Sequence, residues 1–260
     1  MARVLVTGAS KGIGQATAVE LARRGHEVIA TARKVETLAA LDAVAKLPLD
    51  VTDDRSVKEA VAAAGRIDVL FNNAGDIVFA PVESIPLDDA RYLYELNVLG
   101  SLRMIQAVAP QMRERRAGTI VNNSSVVGRV ALPLGGVYAS TKFAIEGLSE
   151  ALRFELGHFG VRVILVEPGA TGTTAFDAPK AHLDAGGPYA GLIAQRGIPD
   201  PTKLTPPAEI ARQIVDAIES KDDTFRFPVG DDAKRLTDAR ARQDDRELAK
   251  TLRGALNLDW

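Results

Sequence analysis

The stretch VLVTGASKGIGQATAVELARR, Val4 to Arg24, decides the fold. Val4-Leu5-Val6-Thr7 is a short, continuous apolar run, the pattern of a strand buried on both faces. From Ile13 to Arg24 the apolar residues return at helical spacing. Between strand and helix lies Thr7-Gly8-Ala9-Ser10-Lys11-Gly12-Ile13-Gly14, spaced T-G-x-x-x-G-x-G. Glycines let the main chain turn tightly and bring backbone N–H groups close to a ligand. The positive end of a helix dipole adds to the attraction for an anion such as a diphosphate. The plainer reading is a strand–helix turn that uses glycine for steric reasons alone.

Outward from this unit the same rhythm repeats. Strands are predicted at Glu27–Thr31, Leu47–Val51, Ile67–Asn72, Thr119–Ser124, Val161–Glu167 and Phe225–Val229. Helices are predicted at Arg55–Ala64, Leu87–Arg116, Val137–Gly157 and Pro206–Ser220, the last opened by two prolines. Apolar strands alternating with helices predict an α/β fold: a single doubly wound (Rossmann) domain over residues 1–260. Its sheet has about seven parallel strands with helices on both faces. Residues 174–205, rich in Gly, Pro and Ala, keep no period and are read as a segment covering a substrate. The charged tail, residues 231–260, reads as a solvated helix anchored by Leu252, Leu256 and Trp260.

Composition narrows the function classes. The chain has 260 residues, 46% apolar and 25% charged, which is enough to bury a core without disulfides. It has no cysteine, so disulfides, thiolate chemistry and Cys-based zinc sites are excluded. A net charge of −2 gives no basic field for nucleic acid or anionic lipid. No run of about 18 apolar residues predicts a membrane span, and no secretory pattern precedes the first strand, so a cytoplasmic protein is expected. His26, His158 and His182 are scattered, and no metal site is expected.

The second strand ends Ala30-Thr31-Ala32-Arg33-Lys34, without the carboxylate that would bond a ribose 2′-hydroxyl. Arg33, with Lys11 in the glycine loop, can instead pair a 2′-phosphate, which favours NADP(H) over NAD(H). Tyr138-Ala139-Ser140-Thr141-Lys142 opens the second long helix and places Tyr138 and Lys142 on one face. An ammonium beside a phenol, aided by an oxidised nicotinamide, is expected to lower its pKa from about 10 toward working pH. Ser124 and Ser125 end the fifth predicted strand, at the edge where open α/β sheets bind ligands. Asn72-Asn73-Ala74-Gly75 ends the fourth on the same edge. Asn97 sits mid-helix, a locally unfavourable place for Asn.

Together these residues resemble a short-chain dehydrogenase/reductase, from about Val4 to Thr173. The glycine loop, N-N-A-G, the helix Asn, the strand-end Ser and Y-x-x-x-K stand in that family's order. The resemblance implies hydride transfer between a nicotinamide and a carbonyl or alcohol, with Asn97, Ser125, Tyr138 and Lys142 catalytic. Tyr138 would be the acid/base, Lys142 its partner, and Ser125 the holder of the substrate oxygen. Asn97 would hold, through its backbone, a water in a proton relay. The implied cofactor contacts are Gly8, Ser10, Lys11, Gly12, Ile13, Gly14, Arg33, Asp50, Val51, Asn73, Ala74, Gly75, Tyr138, Lys142, Pro168, Gly169, Thr171 and Thr173. Thr141 replaces the Ser more usual before the lysine. The substrate is left open, with Phe176, Leu183, Tyr189, Leu192 and Ile193 as candidate apolar walls. A homodimer or homotetramer on the two long helices is implied by the same analogy. Two other readings are an NADPH-binding regulatory sensor without turnover and an extended epimerase/dehydratase, whose glycine spacing differs.

Overall fold

The computed structural model describes residues 1–173, 180–196 and 204–258. In chain order its elements are β1 (Arg3–Val6), α1 (Gly12–Arg23), β2 (Glu27–Ala32), β3 (Ala45–Pro48), α2 (Asp54–Ala64) and β4 (Val69–Asn72). Then come β5 (Val78–Phe79), α3 (Leu87–Tyr94), α4 (Gly100–Arg115), β6 (Gly118–Asn123), α5 (Gly136–Gly157) and β7 (Val161–Pro168). β8 (Lys180–Ala181), α6 (Ala190–Arg196), α7 (Pro207–Glu219), β9 (Arg226–Val229), α8 (Asp231–Arg242) and α9 (Asp245–Ala255) complete them.

Seven strands form one parallel sheet in the order β3-β2-β1-β4-β6-β7-β9. The chain winds outward from β1 through β2 to β3, then returns to the other side of β1 with β4. That reversal puts a crevice at the carboxyl ends of β1 and β4, where doubly wound sheets bind ligands. The continuous apolar strands are explained by the two layers they separate. Val4 and Val6 of β1 join Ile210 and Ile214 of α7 on one face. Leu5, between them, joins Met104 of α4 and Ile145 of α5 on the other.

Several boundaries differ from the sequence reading. β3 lies at Ala45–Pro48 rather than Leu47–Val51, because the chain turns after Leu49. There Asp50 Oδ1 accepts from Thr52 N at 2.9 Å and Thr52 Oγ1 at 2.7 Å, closing a turn in place of a ladder. The helix predicted over Leu87–Arg116 is interrupted by a π-helical segment, Glu95–Leu99, that contains Asn97. A short parallel pair, β5 with β8, was not foreseen; two-residue strands leave no period to read. Asp89 of α3 anchors the β8 side by an ion pair with Lys180 and a hydrogen bond with His182. The tail is two helices, not one solvated helix. Its second, α9, opens with a capping box of Asp244 and Glu247, and its buried anchor is Leu248. Leu252 and Leu256 are only partly buried, and Trp260 lies outside the described residues. Among the described residues no helix is long and apolar enough to cross a membrane.

Candidate active site

A cleft of about 370 Å³ runs along the carboxyl edge of the sheet. Its first wall is the glycine loop. Gly8 (φ +67°) and Gly12 (φ +59°) adopt the left-handed region that only glycine enters freely. Gly14 is needed for a different reason: a Cβ there would overlap Asn73 Nδ2 and Gly8 O. Thr7 Oγ1 accepts from Asn73 N and Ala74 N, both at 2.9 Å, and Asn73 Nδ2 donates to Thr7 O at 2.9 Å. These bonds lock the ends of β1 and β4 together. α1 begins after Lys11 with no side-chain cap and no acidic residue in its first turn. Its opening N–H groups are therefore left for a ligand, and Gly12 and Ile13 line the cleft. A cradle that a Cβ would fill, facing free N–H donors, fits a dinucleotide's diphosphate.

Lys11, Arg33, Asp50 and Val51 line the adjoining part of the cleft, with Arg33 exposed. Burial works to raise the Asp50 carboxyl, but hydrogen bonds from Thr52 and the charge of Arg33 outweigh it and hold the group below its usual range.

At the far end stand Ser125, Tyr138 and Lys142. Tyr138 and Ser125 line the same end of the cleft. Ser125 Oγ donates to Pro168 O at 3.3 Å and accepts from Val127 N at 3.3 Å, capping the short 3₁₀ turn Val126–Gly128. Lys142, 6% exposed, donates from Nζ to Asn123 O at 2.8 Å and lies 5.6 Å from the Tyr138 ring centroid. Burial pushes the Tyr138 phenol up to about 12, outweighing the lowering influence of the Ser125 hydroxyl. Burial pushes Lys142 down to about 8 against the pull of Glu146. The phenol is therefore raised, not lowered as the Tyr–Lys spacing led one to expect: burial and the Asp76 charge both work against ionisation.

Asn97 and Gly14 do not line the cleft; both are buried behind it. Asn97 is 2% exposed, so it does not face solvent. Its Oδ1 accepts from Asp76 N at 2.9 Å, and its Nδ2 donates to Asp76 O at 3.0 Å and Thr141 Oγ1 at 3.1 Å. Thr141 Oγ1 in turn donates to Tyr138 O at 2.7 Å. Asn97 therefore ties the loop after β4 to the first turn of α5. Its own carbonyl accepts from Ser101 Oγ at 3.0 Å.

The remaining wall is Pro168, Gly169, Thr171 and Thr173. A Cβ on Gly169 would overlap the Asp232 carboxylate, which accepts from Ala170 N at 2.7 Å. Ser10, Ala74 and Gly75 complete the expected set along the cleft. The apolar wall is not the one read from sequence. Phe79, Val126, Val127, Leu132, Pro133 and Leu236 form it, whereas Leu183, Tyr189, Leu192 and Ile193 do not reach it. Phe176 lies outside the described residues. Asp76, Asp232 and Leu236 were missed. Asp76 directly follows N-N-A-G, and Ala233 and Leu236 share one face of α8, a signal masked by the charges around them.

Comparison with known proteins follows the same lines. The family model described as short chain dehydrogenase matches residues 2–183. An uncharacterized oxidoreductase of Schizosaccharomyces pombe is 36% identical over 236 residues, covering 87% of this chain and 98% of its own. The mouse 17-beta-hydroxysteroid dehydrogenase type 1 is 40% identical over 190 residues, covering 67% of this chain and 55% of its own. A short-chain dehydrogenase from Streptomyces avermitilis superposes with a TM-score of 0.84 at 35% identity, over 99% of this chain and 98% of that one. One from Burkholderia cenocepacia, in complex with NADP, gives 0.79 at 29% identity, over 98% and 97%. A 3-oxoacyl-[acyl-carrier protein] reductase from Brucella melitensis with bound NAD gives 0.71 at 29% identity, over 88% and 89%.

Proposed function

The chain belongs to the short-chain dehydrogenase family, and from that premise we propose that it is an NADP(H)-dependent oxidoreductase interconverting a ketone or aldehyde with an alcohol. The observation that carries this reading is the hydroxyl pair of Ser125 and Tyr138, set beside Lys142 at the end of a cleft whose other end is an anion cradle. When bound, the nicotinamide supplies or accepts the hydride. Gly8, Ser10, Gly12 and Ile13 hold the diphosphate, with Gly14 shaping the loop from behind. Asp50 and Val51 take the adenine, and Asn73, Ala74 and Gly75 the cleft floor. Thr171 and Thr173, after Pro168-Gly169, fix the carboxamide. Arg33 and Lys11 pair the 2′-phosphate, which is why NADP(H) is preferred to NAD(H).

Ser125 Oγ holds the substrate oxygen. Tyr138 Oη gives its proton to the forming alkoxide in reduction and takes one in oxidation. A phenol held near 12 is a poor acid, so the charge of an oxidised nicotinamide, added to that of Lys142, would be needed to bring it into range. Asn97 fixes the first turn of α5, and with it Tyr138, through Thr141. The apolar wall from Phe79 to Leu236 suits a ketone with a hydrophobic body. The missing cysteines fit a reducing, cytoplasmic setting. A homo-oligomer joined through α4 and α5 is part of the proposal.

The test is an NADPH-oxidation screen over diverse carbonyls, with NADH as control, on the wild type and Tyr138→Phe. Turnover preferring NADPH, falling 10²–10⁴-fold or so in the variant, supports the reading. A variant within tenfold of the wild type rejects Tyr138 as acid/base. NADPH binding with no carbonyl turned over would favour a sensor.

A further inference from the structure

Behind the Tyr138–Lys142 pair lies a buried charge cluster that the proposed mechanism does not use. Glu146 follows Lys142 by one helical turn on α5 and is 5% exposed. Glu167, the residue of β7 just before Pro168, is fully buried. Glu146 Oε2 accepts from Arg226 Nε at 2.8 Å, and Glu167 Oε1 lies 3.7 Å from the same nitrogen and 3.1 Å from Arg129 NH1. Glu146 Oε1, Glu167 Oε2 and Ser124 Oγ are buried and have no hydrogen-bond partner among the described residues. Gly128 packs into this corner: a Cβ there would stand 2.7 Å from Ser124 Oγ and 3.2 Å from both Glu146 Cγ and the Lys142 carbonyl carbon.

A free buried carboxylate oxygen is costly unless a proton or a charge compensates it. Around this corner three carboxylates, Glu146, Glu150 and Glu167, meet two guanidiniums, Arg129 and Arg226. Glu146 lies one helical turn from Lys142, whose ammonium is buried and, among the described residues, bonds the Asn123 carbonyl. Tyr138 on the same helix and Asp76 on the loop after β4 line the same cleft as Lys142, and Asp232 of α8 stands beyond Gly169. Burial first, then the charge of Glu146, holds the Glu167 carboxyl well above the ordinary carboxylate range.

We infer that Glu146 and Glu167 are a coupled carboxyl pair that sustains the charge on Lys142, and are thus positioning residues for the proton chemistry. Glu146, the nearer, supplies the counter-charge; Glu167 modulates it by gaining or losing a proton. This inference rests on the oxidoreductase reading for its purpose but not for its test. The titration of Lys142 is followed by NMR in protein labelled with ¹³Cε-lysine, assigned with Lys142→Met. Glu146→Gln should lower the Lys142 midpoint by a unit or more, Glu167→Gln by less, and Glu146→Asp should restore most of it. Glu155→Gln, the same charge change at an exposed site of α5, should leave it unmoved. The alkaline limb of kcat/KM should move with the midpoint. An unmoved Lys142 midpoint in folded Glu146→Gln and Glu167→Gln overturns the inference, as does failure of both to fold, which would make the pair scaffold. Loss of carbonyl turnover in the wild type with the shifts intact would sink the enzymatic reading alone.

Discussion

At the residue scale the decisive effect is desolvation. Lys142 and Tyr138 move in opposite directions on burial, the ammonium down to about 8 and the phenol up to about 12. Both shifts favour neutral forms, so the free site sits with its proton on tyrosine and a lysine ready to lose its own. The sign of the stability effect follows. Between about pH 8 and the ordinary lysine value, 10.5, the unfolded chain keeps a proton that the folded chain has released. Stability therefore rises with pH through this window while the ammonium needed for reduction disappears. The expected outcome is kcat/KM for ketone reduction falling above pH 8 as Tm rises, with the rise absent in Lys142→Met. That variant should also be more stable than the wild type at pH 7, by up to about 3 kcal/mol, and inactive. Denaturant melts and rate profiles on the two proteins check both limbs; a Lys142→Met protein less stable at pH 7 would refute the desolvation argument. The Tyr138–Lys142 spacing was legible in the sequence. The direction of the phenol's shift was not, because burial depends on what other segments fold over it.

At the element scale the glycine loop shows how one residue type serves two needs. Gly8 and Gly12 supply positive φ, whereas Gly14 supplies space for Asn73, which belongs to the far side of the β1–β4 crevice. Gly14→Ala should therefore destabilise by about 1–3 kcal/mol through overpacking and weaken NADPH binding. Gly254→Ala, in α9 with nothing near the added methyl, should stabilise by up to about 1 kcal/mol. Calorimetry on both variants reads the contrast, and equal Tm changes would contradict it. The T-G-x-x-x-G-x-G spacing named all three positions but not this division of labour. The π-helical segment is a similar case. The mid-helix Asn97 signalled a local irregularity, yet its partners Asp76 and Thr141 stand 21 and 44 positions away. Helical periodicity carries no information at that range.

At the scale of the whole molecule, α5 presents an apolar stripe that the fold leaves uncovered. Phe143 is 47% exposed and Phe154 74%, and Gly147 and Ala151 lie between them on the same face. Leu99, at the head of α4, is also exposed. Such a patch is what a second copy would bury. Light scattering should give a multiple of the 27.7 kDa chain, and Phe143→Glu with Phe154→Glu should return it to the monomer with the fold intact. A monomeric wild type at micromolar concentration would remove the case for assembly through this face.

The sequence by itself determined the α/β alternation, the glycine loop after β1 and the Tyr138–Lys142 spacing. Those depend on periodicity and glycine spacing, which act within a few residues of one another. Only the tertiary structure decided what stands opposite them. Among the described residues the apolar side of the cleft includes Leu236 of α8 and the Leu132 loop but not Leu183, Tyr189, Leu192 or Ile193, and Asp232 meets Ala170 across 62 positions. Glu146 and Glu167, on neighbouring elements, meet at one arginine. Packing of distant segments sets burial, and burial sets the energy of each charge, so the electrostatics of this site could not be read before its fold.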